Sequence, residues 1–197
     1  MRMRMPRPPR GLFCALLAGM LLAACAPLQT VPETAAVARQ ANAQFELEGR
    51  LSATDGERAA SGQIQWQHTP TTDNWTASTP LGQILAQLHS TPAGAELVLA
   101  DGQRHQAPSA NTLLPQLLGT EIPLEPLADW VQASPGAGAE VRATDVHGRP
   151  VLVIDQGWRI DYAEYHDTSA SALPRRLEIS RGETRLRLVI DRWTLSP

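Results

Sequence analysis

Apolar and polar residues alternate along most of the chain after residue 44. From Phe45 to Ala53, the odd positions are apolar or small and the even positions are polar, which is typical of a half-buried β-strand. The same period recurs around Trp66 and in several later segments that are separated by turn residues such as Asp55-Gly56. Short strands with turns at this spacing favour an antiparallel sandwich or barrel. The predicted strands are 45–53, 62–67, 75–79, 84–90, 96–100, 103–106, 140–145, 150–155, 158–165, 176–180 and 184–195.

The period changes to that of a helix in the middle of the chain. Leucines at 113, 114, 117 and 118 predict a first helix that ends at Gly119, with Ser109 or Asn111 as its cap and Pro115 near its first turn. Pro123 opens a second helical pattern, which runs to residue 131. Since strands and helices do not alternate one by one, we expect the sheet to be antiparallel.

The last predicted strand has apolar residues on both faces. Leu186, Leu188 and Ile190 share one face, whereas Trp193 and Leu195 fall on the other. This pattern indicates either a β-bulge that shifts the register or a strand covered on both faces.

The first 24 residues have the pattern of a secretory leader. Four arginines precede an apolar run from Gly11 to Ala24, which at ~1.5 Å per residue is too short to cross a ~30 Å hydrocarbon layer as a helix. The order Leu22-Ala23-Ala24-Cys25 resembles the bacterial lipobox, which implies lipid attachment to Cys25 and cleavage just before it. An ordinary leader cut elsewhere is the alternative. In the sorting system that this motif resembles, an aspartate after the cysteine favours the inner membrane, so Ala26 implies the outer membrane.

Residues 25–44 are predicted to be a tether, and residues 45–197 the folded domain. Pro27 and Pro32 oppose regular structure. The alanine-rich stretch from Thr34 to Gln44 is compatible with a short helix, and its small side chains predict weak packing.

Charge and composition exclude several classes of function. Without residues 1–24 the chain has 13 arginines against 20 acidic residues, a net charge of −7. So acidic a domain is a poor nucleic-acid binder. The five histidines are scattered, no nucleotide-binding or nucleophile motif is present, and we expect no cofactor, metal or catalytic residue. A glycosidase pair such as Glu48 with Asp161 stays open, although solvated strand positions explain both acids more simply.

Five tryptophans stand out against two phenylalanines and two tyrosines. They fit either core packing or the lining of an apolar cavity.

The order of short motifs resembles the LolB family of outer-membrane lipoprotein receptors. The motifs are FELEGRLSA, GQIQW, STPLGQ, DGQRHQA, IPLEPLADW, GWRIDYAEY, LPRRLEIS and RLRLVIDRWTL, between Phe45 and Leu195. The resemblance implies an incompletely closed antiparallel β-barrel of about eleven strands, with short helices covering an apolar cavity. It also implies a lipid-anchored monomer on the periplasmic side of the outer membrane, which accepts lipoproteins from a soluble periplasmic carrier and inserts them into the inner leaflet.

Nine residues are predicted to carry this function. We expect acyl chains to contact inward-facing positions on the strands and on the two helices, and Leu81, between Pro80 and Gly82, to touch the membrane during insertion. For Leu81 the alternative is that it folds back onto the core. The predicted cavity residues are Ile64, Trp66, Leu117, Leu127, Trp130, Trp158, Tyr162 and Trp193. Two other functions stay open: a lipid-anchored scaffold that binds a peptide strand, and, less favoured, a glycan enzyme.

Overall fold

The computed structural model describes residues 38–195. The predicted leader, Cys25 and the tether up to residue 37 lie outside the described residues. Within them the chain forms eleven strands and two helices. In chain order these are β1 Phe45–Thr54, β2 Ala59–His68, β3 Asp73–Ser78, β4 Ile84–Thr91, β5 Gly94–Leu99, β6 Arg104–Ala107, α1 Ala110–Leu118, α2 Leu124–Trp130, β7 Glu140–Thr144, β8 Pro150–Asp155, β9 Trp158–Tyr165, β10 Pro174–Arg181 and β11 Thr184–Leu195.

The eleven strands form one antiparallel sheet in the order β6-β5-β4-β3-β2-β1-β11-β10-β9-β8-β7. The first and last strands of the order are not paired with each other, so the sheet curls without closing. The two helices lie between β6 and β7 in the chain, and their apolar residues pack against the inner face of the sheet. This architecture confirms the predicted incompletely closed antiparallel barrel.

A β-bulge explains the two-faced pattern of the last strand. Glu48 pairs with Arg192, but the next residue, Gly49, pairs with Ile190, so Asp191 is an extra residue in β11. A Cβ atom on Gly49 would lie 2.2 Å from a β11 carbonyl oxygen, so only glycine fits there. The bulge places Trp193 opposite Leu47 on the inner face.

The first helix differs from the prediction in the position of its proline. α1 begins directly after Ser109 and ends at Gly119, whose φ of 72° is left-handed. Pro115 therefore lies inside the helix rather than near its first turn, and the prediction was wrong on this point. Three of the four α1 leucines are buried against the sheet, and this packing stabilises a helix that proline alone would interrupt.

The second helix is capped by a residue of the first. The Asn111 side-chain oxygen accepts a hydrogen bond of 2.8 Å from the backbone N–H of Leu124, the first residue of α2. Ser109 is thus the residue that precedes α1, and Asn111 satisfies an otherwise free donor of α2.

The sheet has two distinct ends. Since β1 runs away from residue 44, the β1–β2 and β3–β4 turns lie at one end, which we call the mouth end. Residues 38–44 and the β9–β10 loop, residues 166–173, lie at the other, which we call the N-terminal end. Residues 38–44 are not helical, so the short helix with which the alanine-rich stretch is compatible does not extend over this part of the tether. Among residues 38–195, no helix has the length and hydropathy needed to cross a membrane.

Candidate functional site

Large apolar side chains fill the space between the sheet and the helices. The rings of Trp66 and Trp75, on neighbouring strands, have centroids 4.5 Å apart. Trp130 of α2 lies 6.0 Å from Trp158 of β9. All four indoles are almost fully excluded from solvent, so the interior is a packed core in this structure.

The structure brings the predicted cavity residues together in this core. Leu117 and Trp193 are half-buried at its margin, and the other six are buried. Their contact with acyl chains stays a prediction. Sequence analysis missed Trp75, which pairs directly with Trp66 across β2 and β3; its alternation with Ala77 was the available signal.

Two carboxylates hold two of the buried indoles in place. Trp130 Nε1 donates to Asp155 Oδ2 at 2.8 Å, and Trp66 Nε1 donates to Asp73 Oδ1 at the same distance. Tyr162 also donates its hydroxyl to the backbone oxygen of Trp130, at 2.8 Å. The last residue of α2 is therefore fixed to β8 and β9 by directional bonds as well as by packing.

Small residues leave a cavity at the mouth end. It has a volume of about 180 Å³ and lies between the C-terminal turn of α1 and the ends of β2, β3 and β4. Ala60, Gly62 and Ala77 line it from the sheet, and Leu117 lines it from the helix. The cavity is therefore an apolar recess where the interior meets solvent.

Exposed apolar side chains lie in and just after the β3–β4 turn, and one of them, Leu85, also lines the recess. Leu81 is 98% exposed in a tight turn in which Gly82, at a φ of 84°, donates its N–H to the Thr79 oxygen at 2.9 Å. Leu81 therefore does not fold back onto the core. Ile84 and Leu85 follow it on β4 and are also exposed, by 47% and 40%. Three large apolar side chains in and just after one turn are typical of a surface that contacts another apolar phase.

An acidic side chain lies near the C-terminal end of α2, beside the β2 histidine. Burial raises the pKa of Asp129, the nearby His68 opposes this rise, and Asp155 adds to it. His68 Nδ1 lies 2.7 Å from Asp73 Oδ1, and its ring stacks on Phe45. Ionisation of Asp129 is therefore less favourable in the folded state than in water.

At the N-terminal end, the described part of the tether is bound to the domain. Arg39 donates to the backbone oxygens of Ala170 at 2.6 Å and Ala172 at 2.7 Å, both in the β9–β10 loop. It also donates to the Gln132 oxygen at 3.3 Å, just after α2. The alanines at 38, 41 and 43 are exposed, which agrees with the expectation that small side chains pack weakly. Hydrogen bonds of Arg39, which the small residues could not predict, hold the segment instead.

Gln132 joins the same segment to the end of α2. Its side-chain oxygen accepts from both the backbone and the side-chain nitrogen of Asn42, at 2.8 and 2.9 Å. Its side-chain nitrogen donates to the oxygens of Asn42 and Ala128, at 3.2 and 3.1 Å. Gln132 is 1% exposed, and every hydrogen-bonding group of its amide has a partner. We call Arg39, Asn42 and Gln132 the N-terminal clamp.

The candidate glycosidase pair does not form a site. Glu48 accepts from Arg192, and Asp161 accepts from Arg159, both at exposed positions. Their strands, β1 and β9, are separated by β11 and β10, which places them about 14 Å apart at ~4.8 Å per strand. This separation exceeds the ~5–9.5 Å of glycosidase carboxylates. Nor does any cluster of three histidines, cysteines or acids able to hold a metal ion occur among residues 38–195.

Comparison with known proteins places this site in context. A family model described as "Outer membrane lipoprotein LolB" matches residues 43–193. The chain is 54% identical over 191 residues to the outer-membrane lipoprotein LolB of Azoarcus sp. (strain BH72), covering 96% of this chain and 98% of that protein. It is 37% identical to the LolB of Thiobacillus denitrificans, over 89% and 93% of the two chains.

The fold has a counterpart among solved structures. A LolA superfamily protein from Nitrosomonas europaea superimposes with a TM-score of 0.51 at 10% sequence identity, covering 81% of this chain and 89% of that one. This likeness concerns the fold alone.

Proposed function

The chain belongs to the LolB family of outer-membrane lipoproteins, and from this premise we propose that it accepts lipoproteins from a LolA-like periplasmic carrier and inserts them into the inner leaflet of the outer membrane. The observation that supports this most directly is the curled, open sheet with an apolar inner face, whose mouth carries the exposed Leu81. Lipid on Cys25 would keep the domain at that leaflet.

The energetics of an acyl chain require an apolar host at each step. At about 0.8 kcal/mol per buried CH₂, exposing a chain of about sixteen carbons to water costs on the order of 10 kcal/mol. Without a nucleotide to drive it, transfer runs down a gradient of affinity, and each tenfold preference for the acceptor corresponds to about 1.4 kcal/mol. The wide inner face of this sheet is the part of the domain that would supply such affinity.

The packed interior has to open before it can hold an acyl chain. The recess of about 180 Å³ at the mouth is smaller than the roughly 300–1,000 Å³ of ordinary ligand pockets. In our proposal a chain enters at this recess, beside Leu117, and displaces the helices from the sheet. Ile64, Trp66, Leu127, Trp130, Trp158, Tyr162 and Trp193 would then line the enlarged cavity.

Leu81 would act after uptake, when cargo leaves the cavity. It contributes almost no buried surface to the fold, so its apolar side chain is available to enter a lipid layer. Leu85 is exposed and also lines the cavity, so it would give an acyl chain a short apolar path from the interior towards this tip.

Photocrosslinking from neighbouring positions of single strands tests this function. A photoreactive residue would be placed at Ile64 or Tyr162, which face inward, or at Gln63 or Asp161, which face outward on the same strands. On delivery of a lipoprotein by the carrier, we expect acyl crosslinks from the inward positions only. Equal labelling from both faces, or labelling of peptide without acyl chain, would favour the peptide-binding scaffold instead.

A further inference from the structure

The N-terminal clamp connects the tether to the helix that covers the interior. Gln132 follows the last residue of α2 by two positions, and its amide is bonded on one side to Ala128 of that helix and on the other to Asn42. Arg39 adds a bond to the Gln132 backbone and bridges it to the β9–β10 loop. The position of α2 and the docking of residues 38–44 are thus fixed by one set of hydrogen bonds.

The way α2 is held differs from the way α1 is held. α1 buries four side chains against the inner face. α2 is also tied at both ends by polar bonds: Leu124 to Asn111, Trp130 to Asp155 and Tyr162, and Gln132 to Asn42. α2 buries four side chains as α1 does. Its polar bonds can be exchanged for bonds to water when the helix moves, and an acyl chain in the interior would replace the apolar contacts that it loses.

The clamped arrangement leaves one polar atom unsatisfied. Among residues 38–195, the buried Nε of Arg39 has no hydrogen-bond partner. Release of the clamp would hydrate this nitrogen, which reduces the cost of opening.

We propose that the N-terminal clamp is an autoinhibitory contact, which holds α2 against the packed interior and is released when an acyl chain enters. This inference rests on the proposed function, since it is acyl uptake that requires α2 to move. It predicts reciprocal coupling: cargo in the interior frees residues 38–44, and freeing these residues raises the affinity for cargo. The apparent affinity rises because a larger fraction of the protein is already open.

The test combines hydrogen exchange with binding of a fluorescent fatty acid, anthroyloxy-palmitate. The full chain with Cys25→Ala serves as the parent, so that its own lipid does not compete with the probe. Arg39→Ala and Asn42→Ala break the clamp from the tether side, where the barrel itself is untouched. Arg50→Ala is the charge-matched control for Arg39→Ala, because Arg50 pairs with exposed Asp191 on the outer face.

We expect faster exchange in peptides covering residues 124–134 and roughly three- to tenfold tighter probe binding in both clamp variants, with neither effect in Arg50→Ala. Probe binding to the parent should speed exchange in residues 38–44. Unchanged exchange in residues 124–134, or unchanged or weaker binding despite faster exchange, would overturn the clamp. If the parent binds no fatty acid at all, the proposed function fails, and the exchange of residues 124–134 still decides whether the tether holds α2.

Discussion

The two ends of the half-barrel are built from opposite kinds of side chain. At the mouth end, Leu81, Ile84 and Leu85 present apolar surface to solvent beside a recess lined by small residues. At the N-terminal end, Arg39 and Gln132 join the tether to the fold through hydrogen bonds to backbone and side-chain groups. The mouth end therefore exposes apolar side chains to solvent, whereas the N-terminal end brings polar groups into hydrogen bonds.

The residues that the proposed transfer would use and the residues that stabilise the fold therefore lie at opposite ends of the molecule. Residues that contribute little to the stability of the fold are concentrated at the mouth end, where an acyl chain would leave. Residues that hold the elements together are concentrated at the N-terminal end, where the polypeptide enters the fold. Changes at the mouth end should therefore alter transfer without altering the free energy of unfolding, and changes at the N-terminal end should alter both.

The largest effect is expected from Leu81→Glu. A carboxylate at this tip cannot enter a hydrocarbon layer, so insertion of cargo into vesicles should be lost, whereas uptake from the carrier should continue. Because the side chain is exposed, the free energy of unfolding should change by no more than about 0.5 kcal/mol. Leu81→Ile, which keeps an apolar tip, is the matched control; normal insertion by Leu81→Glu would show that the turn has no membrane role.

A smaller effect, on stability, is expected from Gln132→Leu at the other end. The substitution keeps the volume of the side chain but removes the partner of the buried Ala128 oxygen and of Asn42. We expect a loss of about 1–3 kcal/mol in the free energy of unfolding, measured by urea denaturation. A loss within the range of Leu81→Ala, about 0.5 kcal/mol, would mean that the N-terminal end is no more firmly held than the mouth.

The smallest effect is expected from the acid near the clamp. Since burial raises the pKa of Asp129 in the folded state, ionisation of this group destabilises the fold at neutral pH. This penalty is fully present above the folded pKa and disappears as the pH falls towards the unfolded value. Asp129→Asn should therefore be more stable than the parent at neutral pH, with an advantage that shrinks on acidification in thermal denaturation curves. An advantage that stays constant as the pH falls would show that ionisation of Asp129 is not its cause.

The strands were predictable because each depends on local alternation. β1, β8, β9 and β11 begin at the predicted residues, and turn residues mark most of the strand ends. The two-faced pattern of β11 could not be resolved from its own residues, because the register depends on Gly49 in the partner strand. Likewise Pro115 was placed near the first turn of α1, and only packing against the sheet explains a helix that contains it further along.

The sequence predicts which residues face the interior, but not whether they fill it or leave a cavity. Period-two and helical patterns identify the inward-facing residues, and the structure brings them into one cluster. Patterns do not show whether inward residues leave a cavity or fill it. The clamp left no sequence signal, since Arg39 and Gln132 are 93 residues apart and meet through groups that any arginine and glutamine possess.

The position of residues 38–44 limits how far apart Cys25 and Leu81 can lie. They lie at the end opposite Leu81, and the ten residues of β1 separate the two ends by about 33 Å. The thirteen peptide links from Cys25 to Ala38 extend at most about 45 Å. With the lipid that we propose on Cys25, Leu81 would thus be able to touch the leaflet that holds the lipid, with about 12 Å of chain length in excess. So small an excess would confine delivery to that same leaflet.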